Sequence, residues 1–414
     1  MTSPESKTPA ATGALAGVRV LDLSRVLGGP MAAQTLADHG ADVIKVEPPT
    51  GDETREMGPP FIVEKDTSSI FINVNRNKRG VSLDLSSESG REVFYRLLET
   101  TDVIIENFKP GTMEKWGMGF DALSQRFPRL IHASFTGFGK DGPLGGAPGY
   151  DIIVQAWGGL ISVNGTKETG PLRLGVPLVD LTSGSNVVIG VLLALFSRER
   201  TGRGQHIDVT LYDSAITLTH PHAPNWFLNG KRPGLTGTDN PNLSPYSLYR
   251  TSKSALFIAV GNDSQFKRLC EIIGVPQLAL DARFATNAAR VVNNTELTPV
   301  IETAIADRDG DELCATLLAA MVPAGLVQSI PEAMTHPHTI HREMLIEMDG
   351  YRWAGIPVKL SGTPGSVRRG PPTFNEHLDE VLGEAGFSAM EISDLRARKV
   401  IGKPRVKHSD SAKK

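Results

Sequence analysis

The chain has 414 residues, 40% of them hydrophobic and 21% charged, with a formal net charge of −3; that balance suits a soluble globular protein of two or three domains and excludes a general nucleic-acid binder. Its two cysteines, Cys270 and Cys314, are too few for a disulfide-built scaffold and point to a reducing cytoplasm. The longest run of apolar residues and glycine, 187–196, is about half the ~20 residues a membrane helix needs, and the polar opening MTSPESKTPAATG has no secretory core.

Residues 1–16, rich in Ser, Thr, Pro and Ala, read as a disordered lead-in. A strand, VRVLDL (18–23), a helix over 30–40 that ends on glycine, and a strand, DVIKVE (42–47), follow. The rhythm repeats with GVSLDL (80–85), a helix over 89–101, DVIIEN (102–107) and RLIHASF (129–135), then a helix near 186–200 and QHIDVTL (205–211). Such alternation predicts parallel βαβ units in an α/β fold. From 219 to 246 the chain is dense in Pro, Gly, Asn and Thr and reads as a crossing loop. A second unit then opens with a strand at 255–260 and helices over 263–273, 295–307 and 310–321. A helix pair over 375–386 and 389–400 precedes a polar tail.

Several motifs fail on context. GFGKDG (137–142) has the spelling of a dinucleotide fingerprint, but PLGGAPG follows it and cannot open a regular helix. HPH (220–222) and HPHTIH (336–341) place their histidines in proline turns without the converging ligands of a metal site. Neither a Walker loop nor a G-x-S-x-G elbow is present. GVPLVDLTSGSNVVIGVLLALF (175–196) is different, because Asp180 is the lone acid among small, apolar and hydroxyl residues. Asp180 can be the N-cap of a helix over 183–198, or a carboxylate nucleophile kept where water is scarce. The two roles are compatible, since a helix N-terminus favours negative charge.

Three stretches carry a resemblance: VLDLSRVLGGPMAAQTLADHGADVIKVEPP (20–49), NRNKRGVSLDL with DVIIENFKPGTMEKWGMG (75–119), and GYDIIVQAWGGL through QHIDVTLYDSA (149–215). They resemble the class III coenzyme A transferases, a family that includes formyl-CoA transferase, carnitine CoA-transferase and the α-methylacyl-CoA racemases. The likeness runs from about residue 16 to 402. It implies an α/β fold with a large Rossmann-like domain made from both ends of the chain, a smaller middle α+β domain, and an interlocked homodimer. On that pattern 17–218 is the first part of a CoA-binding domain, 219–246 the crossing loop, 247–330 the small domain, 331–404 the return segment and 405–414 a tail.

The resemblance places the nucleophile at Asp180, with the Tyr150 hydroxyl orienting the reacting carboxyl group. It assigns CoA contacts to Arg25, Val26, Gly28, Leu83, Asn107, Phe108, Lys115 and Trp116. Coenzyme A and its acyl thioester are then substrates, with small carboxylic acids as partners and no metal or permanently bound cofactor. No membrane or nucleic-acid partner is expected, and the location is cytoplasmic. The rival within the family is an α-methylacyl-CoA racemase, which uses a histidine where this chain has Tyr150; a phenol of ordinary pKa ~10 exchanges protons with a carbon acid poorly at pH 7. Leu27 stands where formyl-CoA transferase has a polar residue, and 234–246 lacks that enzyme's run of glycines, which disfavours formyl and oxalate. The segments 49–61 and 261–275 look more like members that use succinyl-CoA with dicarboxylic acids. Arg55 and Arg76 are the candidates for neutralising a distal carboxylate.

Overall fold

A computed structural model describes residues 13–402. These form two compact units, one holding 13–154, 176–215 and 337–402, the other holding 155–175 and 216–336.

The first unit is built on six parallel strands, β1 (Arg19–Asp22), β2 (Asp42–Glu47), β3 (Lys78–Ser82), β4 (Val103–Glu106), β5 (Ile131–Thr136) and β6 (His206–Thr210). Their spatial order is β6-β5-β4-β1-β2-β3. The chain therefore winds one way from β1 to β3 and the other way from β4 to β6. Strands β1 and β4 flank the reversal, and the crevice beyond their carboxyl ends is where an open α/β sheet binds ligands. Helices α1 (Gly28–Asp38), α2 (Glu88–Leu98), α3 (Asp151–Trp157) and α4 (Leu178–Thr201) complete the parts that matter here. Residues Leu21, Ile44, Val81, Phe94 and Ile104 share one core with Leu378, Val381, Leu382 and Leu395, so the return segment closes the core begun by the first strands.

Strand β3 begins two residues before the expected 80–85 and ends at Ser82. Its first two residues are buried through ion pairs, Lys78 with Asp22 at 2.7 Å and Arg79 with Asp42 at 2.6 Å. Leu83, read as a CoA contact, lies just past the strand and is buried in the core.

Other expectations need correction. Helix α4 starts at Leu178, well before 183, so Asp180 lies inside its first turn and is not its N-cap, a position held by Pro177. At 24 residues with a mean hydropathy of 1.8 over its most apolar window, α4 is long and apolar enough by composition to cross a membrane, although Val179, Gly184, Val187, Val191 and Ala194 are buried in the protein. Residues 13–17 form a turn in which the Leu15 N–H donates to the His39 carbonyl, so the expected disordered lead-in does not reach residue 16. The rest of that lead-in and the tail at 405–414 lie outside the described residues.

In the second unit β7 (Tyr246–Arg250), β8 (Ala255–Ala259) and β9 (Ala324–Leu326) form an antiparallel sheet. Phe266, Leu269, Leu297, Ile301, Leu313 and Leu317 from its helices pack with Leu256 and Ile258 into a separate core. Residues 155–175, expected in the large domain, cluster here because Thr236 and Gly237 donate backbone bonds to Val163 and Gly165. The expected loop at 219–246 contains a helix, His222–Asn229.

Candidate active site

Beyond β1 the chain leaves the sheet through Ser24, Arg25, Val26 and Leu27 before α1 begins. Val26 sits at φ 72°, a left-handed conformation that a β-branched residue adopts only under constraint. Asn107, just past β4, supplies part of that constraint: its Oδ1 accepts the Arg25 N–H at 2.9 Å and its Nδ2 donates to the Arg25 carbonyl at 2.8 Å. The Phe108 N–H donates to Glu106 Oε2 at 2.7 Å. The two loops at the sheet's reversal are thus joined by side-chain to backbone bonds.

A cavity of about 420 Å³ opens beside them. Arg25, Val26, Leu27, Gly28, Asn107, Phe108, Tyr150 and Asp180 line it, with Glu53, Lys109 and the turn Gly137–Gly139. Arg25 faces Glu53 at 3.7 Å, and both side chains are partly exposed. Tyr150 is 60% exposed on the cavity wall. Of the eight residues read as CoA contacts, Arg25, Val26, Gly28, Asn107 and Phe108 meet on this one surface. Lys115 and Trp116 do not line it: Lys115 is exposed, and Trp116 packs edge-on against Phe108 with ring centroids 5.4 Å apart. Among the described residues, no group of three or more His, Cys, Asp or Glu is placed to hold a metal.

The small residues around Asp180 have a packing cause. A Cβ on Gly184 would lie 2.6 Å from the Gly28 carbonyl, and one on Gly28 would lie 2.7 Å from the Phe135 ring and 3.0 Å from the Asp180 carbonyl. Glycines at both positions let α1 and α4 approach closely, which brings the first turn of α4 to the cavity. That turn has no side-chain cap of its own. Instead Asp151, at the start of α3, lends it a carboxylate: Oδ2 accepts the N–H of Val179 at 2.8 Å and of Asp180 at 3.1 Å. The sequence reading missed Asp151, whose only local signal is an acid directly after Tyr150.

Burial, and after it the neighbouring charge of Asp151, pushes the Asp180 carboxyl up to about 7. A carboxylate so poorly solvated is a better nucleophile than one in water, yet it is still substantially ionised near neutrality. The two arginines expected to meet a distal carboxylate do not reach the cavity. Arg55 is 2% exposed and pairs with Glu47 at 2.6 Å, and Arg76 is 4% exposed and pairs with Asp38 at 2.7 Å. Arg25 and Lys109 are the cations that line the cavity among the described residues.

The profile of CoA-transferase family III matches residues 15–378. A succinate–glutarate CoA-transferase of Agrobacterium fabrum is 39% identical over 391 residues, covering 92% of this chain and 96% of that protein. An acetyl-CoA:oxalate CoA-transferase of Acetobacter aceti is 39% identical over 367 residues, covering 88% of this chain and 94% of that one. The crystal structure of a CAIB/BAIF family protein from Brucella suis superposes with a TM-score of 0.81 at 38% identity, covering 90% of this chain and 100% of that one.

Proposed function

The chain belongs to CoA-transferase family III, and from that premise we propose that it moves CoA from succinyl-CoA to a dicarboxylic acid through an aspartyl-CoA thioester on Asp180. The observation that carries the proposal is the position of Asp180, a half-buried carboxylate with a raised pKa on the wall of the cavity at the sheet's reversal.

The ionised Asp180 carboxylate attacks the thioester carbonyl carbon, the C–S bond breaks, and CoA leaves as its thiolate beside an aspartyl–acyl anhydride. The thiolate then attacks the aspartyl carbonyl carbon and displaces the donor acid as a carboxylate. The acceptor carboxylate attacks the resulting aspartyl-CoA thioester, giving a second anhydride and thiolate. Attack of that thiolate on the acceptor's acyl carbon yields the new acyl-CoA and regenerates Asp180. No step consumes a proton overall, so a general base is not required. Tyr150, on the same cavity wall, orients the reacting carboxyl groups through its hydroxyl.

A histidine that would move the α-proton of a racemase substrate is absent from the position of Tyr150, so the isomerase reading is not favoured. Both relatives described above are named for a dicarboxylic acid, which supports the substrate class. The second of them is named for oxalate, so the case against oxalate rests on Leu27 and the missing glycine run alone.

The proposal includes a homodimer with interlocked subunits in the cytoplasm. It is supported by an uncovered apolar stripe on α4, where Ile189, Leu192, Leu193 and Phe196 are exposed, the last at 66%. Cys270 and Cys314 are free and buried, in keeping with a reducing compartment.

The decisive experiment is trapping. Incubation with an acyl-CoA followed by hydroxylamine should convert Asp180 to its hydroxamate, located by mass spectrometry of the peptide. Modification at another residue, or none during turnover, would overturn the mechanism.

A further inference from the structure

The loop Ser24–Val26 is held almost wholly by side chains. Asp22 Oδ1 accepts both the Ser24 N–H at 3.0 Å and its hydroxyl at 2.5 Å. The Lys45 ammonium donates to the Ser24 carbonyl at 2.5 Å and pairs with Asp52 at 2.7 Å. Lys78 spends its three donors on Asp22 Oδ2, the Pro30 carbonyl in the first turn of α1, and Asn75 Oδ1, all at 2.7–2.8 Å. Asp22, Ser24, Lys45, Asp52 and Lys78 are all at 0% exposure. Asn107 holds the N–H and carbonyl of Arg25 from the other side. Asp22 and Lys45 therefore hold the loop directly, each backed by a buried counter-charge, Lys78 and Asp52, and the far face of the loop is the cavity wall.

Burying four charges carries a desolvation penalty for each ion that pairing must offset, and an apolar cluster of the same volume would stabilise the fold as well or better. A stability role alone does not account for the arrangement. We infer that Lys45 and Lys78, with Asp52 and Asp22, are positioning residues that preset the Ser24–Val26 loop and the left-handed Val26 for binding acyl-CoA. The inference rests on the reading that this cavity takes the CoA thioester. Against the burial that would raise it, Lys45 holds Asp52 down at about 2, whereas burial pushes Lys78 down to about 8 against the pull of Asp22. Without the ammonium the Ser24 carbonyl loses its donor, and Val26 is free to relax toward an ordinary backbone conformation that withdraws it from the wall. The effect falls on binding, because Asp180 stands on a different element, α4.

The test uses charge-balanced double variants, so that no buried charge is left alone. Lys45→Met with Asp52→Asn is compared with Arg76→Met with Asp38→Asn, which removes a buried pair that does not touch the loop. Both are checked for folding by circular dichroism and thermal melting. The first should raise KM for acyl-CoA about tenfold or more with kcat changed less than about threefold, since displaced binding groups weaken association first. The second should leave KM within about twofold of wild type. Lys45→Arg, which retains a donor and a charge, should recover part of the loss. An unchanged KM in the folded first variant, or an equal rise in both, would overturn the inference. Saturable binding of free CoA to the wild-type protein, followed by calorimetry, tests the underlying reading separately: if the wild type binds no CoA, it is that reading that fails.

Discussion

The Oδ2 atom of Asp151 accepts the backbone N–H of Asp180 at 3.1 Å, and the charge that makes this bond also raises the pKa of the Asp180 carboxyl. Burial gives most of that rise and Asp151 adds to it, so one residue both anchors the backbone of the candidate nucleophile and helps to set the pH at which it ionises. The bond to the backbone holds the first turn of α4, whereas the repulsion acts on the side chain. The two effects can be separated by substitution.

Asp180 must be ionised to attack, so kcat/KM for acyl-CoA should fall below about pH 7, tenfold per unit once the limb is established. Asp151→Asn keeps an acceptor for the α4 amides but removes the charge, and should move the acidic limb to lower pH. A pH–rate profile of both proteins checks this. A limb that stays in place would mean that burial alone raises the pKa.

The same shift has a stability consequence of opposite sense. The Asp180 pKa of about 7 lies above the ordinary 3.8, so the folded state holds this proton more tightly than the unfolded chain. Its contribution is fully present below about pH 4 and is lost as pH rises toward and past 7. Asp180→Asn should therefore melt a few degrees higher than wild type at pH 8 and at nearly the same temperature at pH 4, with activity down at least ~1,000-fold. Thermal melts at the two pH values provide the measurement.

The α1–α4 contact gives a third prediction. Gly184→Ala puts a methyl 2.6 Å from the Gly28 carbonyl, a backbone atom that cannot swing aside. Overpacking of this kind costs about 1–3 kcal/mol. Because the strain lies one helical turn from Asp180, activity should drop further than the stability loss explains. Urea titration and steady-state rates on the same sample separate the two.

These relationships explain what the sequence disclosed and what it hid. The βα alternation was legible because β1, β2 and β4 each carry a short apolar run, Val20–Leu21, Val43–Ile44 and Val103–Ile105. The true span of β3 was not, since Lys78 and Arg79 look like surface residues and are buried by partners distant in sequence, among them Asp22, Asp42, Glu380 and Glu384. The start of α4 was misread for a related reason: its capping carboxylate, Asp151, lies 29 residues upstream of Asp180 and leaves no local signature. Asp180 stood out because nothing charged surrounds it in sequence. Arg55 and Arg76, the candidates for a distal carboxylate, are instead paired in the interior with Glu47 and Asp38.

The apolar stripe on α4 predicts association. Leu193 and Phe196 are 62% and 66% exposed on a helix otherwise anchored in the core. Light scattering should give a dimer at micromolar concentration, and a chain made with Leu193→Asp and Phe196→Asp should fail to assemble into it. An active monomer of the unaltered protein would remove the dimer from the proposal.

The substrate can be settled by a screen of acyl-CoA donors against free acids in deuterated water, read by mass spectrometry. Succinyl-CoA should be a productive donor, and a four- to six-carbon dicarboxylate a better acceptor than carnitine or oxalate. The far carboxylate of such an acid must meet a cation, because an unpaired buried charge costs several kcal/mol. Arg55 and Arg76 are already paired in the interior, so that cation is sought on the cavity wall, where Arg25 stands opposite Glu53. Arg25→Met should therefore weaken dicarboxylate acceptors more than monocarboxylates, over and above any loss common to all CoA thioesters. Transfer confined to monocarboxylates would remove the dicarboxylate claim and leave the aspartyl mechanism standing. Deuterium at the α-carbon without acyl exchange would overturn the transferase reading itself, since only an isomerase exchanges that proton while the thioester stays intact.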